Sequence, residues 1–78
     1  MTSKEIKLLP KIWKGIDNKN ISCTEKIKIL NENIIEINQI TDDALEDAIL
    51  MGADPKQVIE TIIKSLKEKN TAISNKKN

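Results

Sequence analysis

Apolar positions along this chain recur mostly at helical spacing, and the clearest run is Ser22 to Ile40, SCTEKIKILNENIIEINQI. Within it Cys23, Ile27, Leu30, Ile34 and Ile37 follow one another at steps of four, three, four and three. That is the seam of a packed helix. Ile29 and Ile40 fall outside the seam, and Ile35 lies on its other flank. At about 100° per residue the apolar face then spans well over half the circumference, so this helix needs neighbours on more than one side. Ser22 is placed to cap it, with Glu25 three residues on in a capping-box arrangement. Asn31, Glu32, Glu36 and Asn38 are expected to face water.

Upstream, Ile6, Leu9, Trp13 and Ile16 share a helical face, but Pro10 interrupts the segment. Inside a helix a proline costs roughly 3 kcal/mol, whereas at the first helical position it is tolerated. The pattern therefore predicts a short helix of about Pro10 to Ile16 in preference to a kinked segment from near Ser3, and does not decide whether Lys4 to Leu9 is helical. Gly15 and the Asp17-Asn18-Lys19-Asn20 run supply the turn after it.

Downstream, Thr41 is placed to cap a third segment whose first turns carry Asp42, Asp43, Glu46 and Asp47. Negative charge there suits the positive end of a helix dipole. Ala44, Leu45, Ala48, Ile49 and Met51 form its apolar side, and Gly52 is a natural stop. Asp54-Pro55 then reads as a cap followed by proline at the first helical position. A last helix is expected from Pro55 to Lys69, with Val58, Ile59, Ile62 and Leu66 as its stripe. Asn70 to Asn78 holds one large apolar residue, Ile73, and is expected to be disordered.

These elements predict an all-α fold: a small antiparallel helical bundle of three helices plus a short N-terminal helix. Residues 1–69 would form a single helical domain and residues 70–78 a disordered polar tail. At 78 residues such a core is near the lower limit of self-sufficiency, because burial and ordering entropy nearly cancel.

Composition narrows the chemistry. Hydrophobic residues make up 38% of the chain, fifteen of them isoleucine, and Trp13 is its one aromatic residue. The core must therefore be aliphatic. The formal net charge is +1, so no overall field draws the chain to nucleic acid or anionic lipid. One cysteine cannot form an internal disulfide, and without histidine the usual zinc donors are missing. No metal or other cofactor is expected. There is no apolar run of about twenty residues to span a bilayer and no signal-peptide core near the start, which makes the cytoplasm the expected location.

The acid cluster at Asp42, Asp43, Glu46 and Asp47 lacks the alternating carboxylates and glycine of a calcium loop, and is read as a solvated helix start. Ser22 and Cys23 have no positioned base to activate them, and Cys23 sits in the apolar seam, where a thiol is inert. No catalytic residue is assigned. The chain is read as non-enzymatic, and a small-molecule substrate is not expected.

Ala48 to Leu66, AILMGADPKQVIETIIKSL, resembles a helix-turn-helix: an alanine stands four residues before the turn glycine and Val58 six after it. The family's third core position falls on Thr61. The resemblance implies a DNA-reading second helix, but Lys56, Gln57, Glu60 and Lys64 include no arginine, and the preceding helix carries four acids. The same stretch is similar to the first two helices of a ubiquitin-associated domain through Met51 and Gly52. There Ala53 stands where that family has a ubiquitin-contacting aromatic residue. A generic helical hairpin accounts for both likenesses.

Two features point to a macromolecular partner. Lys4 to Ile16, KEIKLLPKIWKGI, alternates lysines with apolar residues around Trp13, a pattern that suits a protein groove or an anionic membrane surface. Trp13 is also the residue type that most often anchors an interface, or it packs on the long helix. Ile29, Ile35, Ile40, Leu50 and Ile63 lie off the main seams of their helices and form an apolar surplus. The candidate partner-binding residues are thus Trp13, Ile29, Ile35, Ile40, Leu50 and Ile63. They lead to the expectation of a small cytoplasmic protein-protein interaction module, regulating or adapting a partner through helix–helix contacts or self-association. The alternatives are a nucleic-acid-binding regulator using residues 48–66 and membrane-surface association through residues 4–16.

Overall fold

The computed structural model describes residues 8–77 of the chain. Two α-helices are found among them: α1, Thr24–Met51, and α2, Pro55–Lys77. The described residues contain no strand, only an isolated antiparallel bridge between Lys14 and Asn20. The fold is all-α, but the three helices and short N-terminal helix expected from the sequence are not what forms. The chain divides into two compact units, Met1–Thr41 and Asp42–Asn78.

The first difference is at Thr41. The sequence pattern has it capping a separate helix, yet the 28-residue α1 runs through it without a break. The Thr41 hydroxyl donates instead to the Ile37 carbonyl one turn back, at 2.9 Å. A threonine can satisfy itself this way inside a helix as readily as it can cap one. No glycine or proline lies between Ile40 and Asp42 to force a break, so propagation wins over a new nucleation.

The second difference is at Pro10 to Ile16, where the helix is absent. Between Leu9 and Cys23 the backbone bends back on itself instead. Asn18 donates its N–H to the Gly15 carbonyl at 2.9 Å, Gly15 to Lys19 at 2.8 Å, and Ile21 to Trp13 at 2.8 Å. The turn places Asn18 at a φ of 68°, a left-handed conformation that asparagine tolerates better than most residues. The Asp17 carboxylate accepts the Lys19 N–H at 3.1 Å, a local turn bond that competes with helix formation. The Lys14–Asn20 bridge closes the same loop, so the turn predicted at Gly15 to Asn20 is present while the helix before it is not. Of the face expected on that helix, Trp13 and Leu9 are half-buried and Ile16 is fully exposed. Ile6 and residues 4–7 lie outside the described residues.

The third difference is the end of α2, which continues to Lys77 rather than stopping at Lys69.

In the first unit, α1 starts one residue later than the Ser22 cap predicts. Ile27 donates to the Cys23 carbonyl at 3.0 Å, making Cys23 the residue that accepts the first helical bond. Ile27, Leu30, Asn31, Ile34, Ile35 and Asn38 are half-buried and mark the covered side of this stretch. Ile37, assigned to the seam, is 58% exposed.

In the second unit, the end of α1 is closed by a paired terminus. Ala53 donates to the Ala48 carbonyl at 2.8 Å and Gly52 to the Ile49 carbonyl at 3.2 Å, with Gly52 at a φ of 80°. This is the Schellman arrangement, which uses glycine's freedom at positive φ to satisfy otherwise orphaned carbonyls. The chain then enters α2 as the sequence predicts. The Asp54 carboxylate accepts the Lys56 N–H at 3.0 Å, the Asp54 carbonyl accepts from Gln57 at 3.1 Å, and Pro55 takes the first helical position. Ala44, Leu45, Pro55, Val58 and Ile62 are half-buried around Ala48, which is 3% exposed and the only buried residue among those described.

Candidate interaction surface

Trp13 is fixed by a hydrogen bond rather than left free. Its indole Nε1–H donates to Asn31 Oδ1 at 2.7 Å, across eighteen residues of sequence. The turn from Gly15 to Asn20 carries the chain back so that the ring lies against α1, and Asn31 becomes half-buried there rather than facing water. The ring is half-buried, and its one donor is occupied within the chain.

Beside this turn the first unit has an open depression of about 510 Å³ lined by Gly15, Asp17, Ile21, Cys23 and Lys26 among others. A shallower one of about 300 Å³ is lined by Ile21, Lys26, Ile29 and Leu30. Cys23, expected to be buried in the seam, is exposed at the rim of the larger one. Its position at the cap explains this, because a residue before the first helical turn no longer follows the seam. The backbone N–H of Lys26 donates to the sulfur and holds the thiol below its ordinary value; slight desolvation opposes this, while the Glu25 N–H and the Lys26 charge add to it.

The exposed apolar surface is extensive. Thirteen large hydrophobic residues among those described are substantially open to solvent. In the first unit these are Leu8, Ile12, Ile16, Ile29, Ile37 and Ile40. In the second, Leu50 and Met51 are 79% and 77% exposed, and Ile49, Ile59, Ile63, Leu66 and Ile73 are also open. Of the six residues assigned from sequence to partner binding, Ile29, Ile40, Leu50 and Ile63 are exposed, while Trp13 and Ile35 are half-buried. Ile35 is half-buried, on the covered side of α1. Sequence reasoning missed Met51 and Leu66, which it had assigned to packed stripes. Met51 stands at the last residue of α1 and Leu66 beyond the last covered position of α2.

The acids Asp42, Asp43, Glu46 and Asp47 are all exposed along α1. Among the described residues no group of three or more His, Cys, Asp or Glu side chains is placed to hold a metal ion, and no helix is long and apolar enough to cross a membrane. The hairpin from Ala48 to Leu66 has the helix–turn–helix order expected of it, with exposed Lys56, Gln57, Glu60 and Lys64 on α2. No protein-family model, curated protein or solved structure matches the chain.

Proposed function

We propose that this protein is a small, non-enzymatic helical interaction module of the cytoplasm, which regulates or adapts another polypeptide through helix–helix contacts within an assembly. The observation that carries this reading is the imbalance between core and surface. One described residue, Ala48, is buried, while thirteen large hydrophobic residues are exposed. Exposed apolar surface in this quantity suits a binding face, because covering it releases about 25 cal/mol per Å². In proteins most helical stability comes from tertiary packing, and the described residues supply little of it, so a partner helix would add what is missing.

The test is a photoreactive diazirine amino acid placed at Leu50 or, separately, at Ile29 of the full chain in its own cells. Irradiation should yield covalent adducts to a polypeptide, either another copy or a different protein, identified by mass spectrometry. If both positions give only water-quenched chain, these faces are open in the cell and the reading falls.

A further inference from the structure

Along α2 runs an apolar stripe that the described residues leave largely open. From Ile63 to Thr71 every residue is exposed, and Ile59, Ile63, Leu66 and Ile73 are 42%, 46%, 54% and 56% open. Ile59, Ile63, Leu66, Asn70 and Ile73 follow one another at steps of four, three, four and three, all on one helix. This is a heptad seam, in which Ile63 and Asn70 take one core position and Ile59, Leu66 and Ile73 the other.

We propose that this stripe is a homodimer interface, in which α2 packs antiparallel against α2 of a second copy of the chain. The inference rests on the interaction-module reading above and names the partner. The charges beside the seam select both the occupant and its direction. Glu60 and Lys67 are exposed and each directly follows an outer seam residue, Ile59 and Leu66 respectively. In an antiparallel pair centred between Ile63 and Leu66, Ile63 of each chain meets the partner's Leu66. The same register sets Glu60 of each chain beside the partner's Lys67, giving two reciprocal opposite-charge pairs from one alignment. A parallel pair offers neither, because Lys67 then flanks Ile62 and Lys69 flanks Ser74. Asn70 falls opposite the partner's Ile59 near the end of the seam, where a polar core residue costs stability but discourages shifted registers. In this register the two Ile63–Leu66 layers are related by the two-fold axis, as a self-complementary interface requires, while Ile73 of each chain falls opposite the partner's Lys56.

Sedimentation equilibrium of the full chain over micromolar to millimolar concentration should show a monomer–dimer equilibrium, with helicity rising as dimer forms. Glu60→Lys and Lys67→Glu should each weaken the dimer by about tenfold, since each places like charges together. The double swap E60K/K67E should restore it, because the pairs reform with reversed sign. Both residues are exposed, so neither reversal removes covered contacts within the chain. Leu66→Lys should abolish the dimer while the capped start of α2 remains helical. A monomer throughout the range, an assembly larger than a dimer, or a dimer in which the swap fails to rescue would each overturn the proposal. A monomer that still gives adducts to a different protein in the cross-linking experiment would leave the interaction-module reading standing and remove only the homodimer.

Discussion

The indole N–H of Trp13 donates to the side-chain oxygen of Asn31 at 2.7 Å, tying the N-terminal turn to the second turn of α1. It is the one side-chain-to-side-chain bond found between segments far apart in the described sequence. Replacing Asn31 with Leu leaves a half-buried donor unpaired, which costs about 1–3 kcal/mol. Asn31→Asp keeps an acceptor and should cost less. Trp13 is the sole aromatic residue, so the chain's intrinsic fluorescence comes from this one ring. Denaturant titrations should show a lower midpoint for Asn31→Leu together with a red-shifted native emission. An unchanged spectrum and midpoint would mean that the ring does not depend on Asn31.

Asp42 distinguishes one long helix from two. As the first residue of a separate helix capped by Thr41 it would accept proline without loss. In the continuous α1, Asp42→Pro removes the bond to the Asn38 carbonyl and clashes with it, at about 3 kcal/mol or more. We expect a large fall in helicity and stability by far-UV circular dichroism.

The turn between α1 and α2 makes separable contributions. Gly52→Ala meets no atom within 4 Å but forces a Cβ into a φ of 80°, and should cost about 1 kcal/mol. Asp54→Ala removes the carboxylate that accepts the Lys56 N–H, at about 1 kcal/mol. Both losses are measured by urea unfolding, with Asp54→Asn expected to retain most of the cap.

Cys23 is predicted to be reactive. The Lys26 N–H on its sulfur stabilises the thiolate, so the folded thiol ionises at lower pH than the unfolded one. The pH midpoint of alkylation by iodoacetamide should accordingly be lower in the native chain than in denaturant. By linkage, the thiolate adds stability above the unfolded thiol's value, and this is lost as the pH falls through the folded one. Coincident midpoints in the two states would show that the helix start does not act on the sulfur.

Local chemistry was sufficient to place the punctuation of this fold. Gly52 and Asp54-Pro55 define a stop and a start that each depend on residues within five positions of themselves, so their bonds could be read directly from the sequence. The turn at Gly15 to Asn20 was legible for the same reason. The all-helical class followed from the spacing of the isoleucines.

What the sequence could not decide were choices between two locally satisfied states. Thr41 can cap a new helix or bond back within an old one, and only continuity through Asp42 settles it. Pro10 to Ile16 has helical spacing, but the turn bonds of Asp17 and the pairing of Ile21 with Trp13 hold it in a non-helical bend. Cys23 and Ile37 share one seam on a helical wheel, yet burial depends on what arrives opposite, and nothing in the described chain covers either. The sequence by itself determined the all-helical class, the stop at Gly52 and the start at Pro55, because each rests on local spacing or local turn chemistry. Tertiary structure alone decided which isoleucines are covered, because cover is supplied by residues distant in sequence, and most of the isoleucines among the described residues stay exposed.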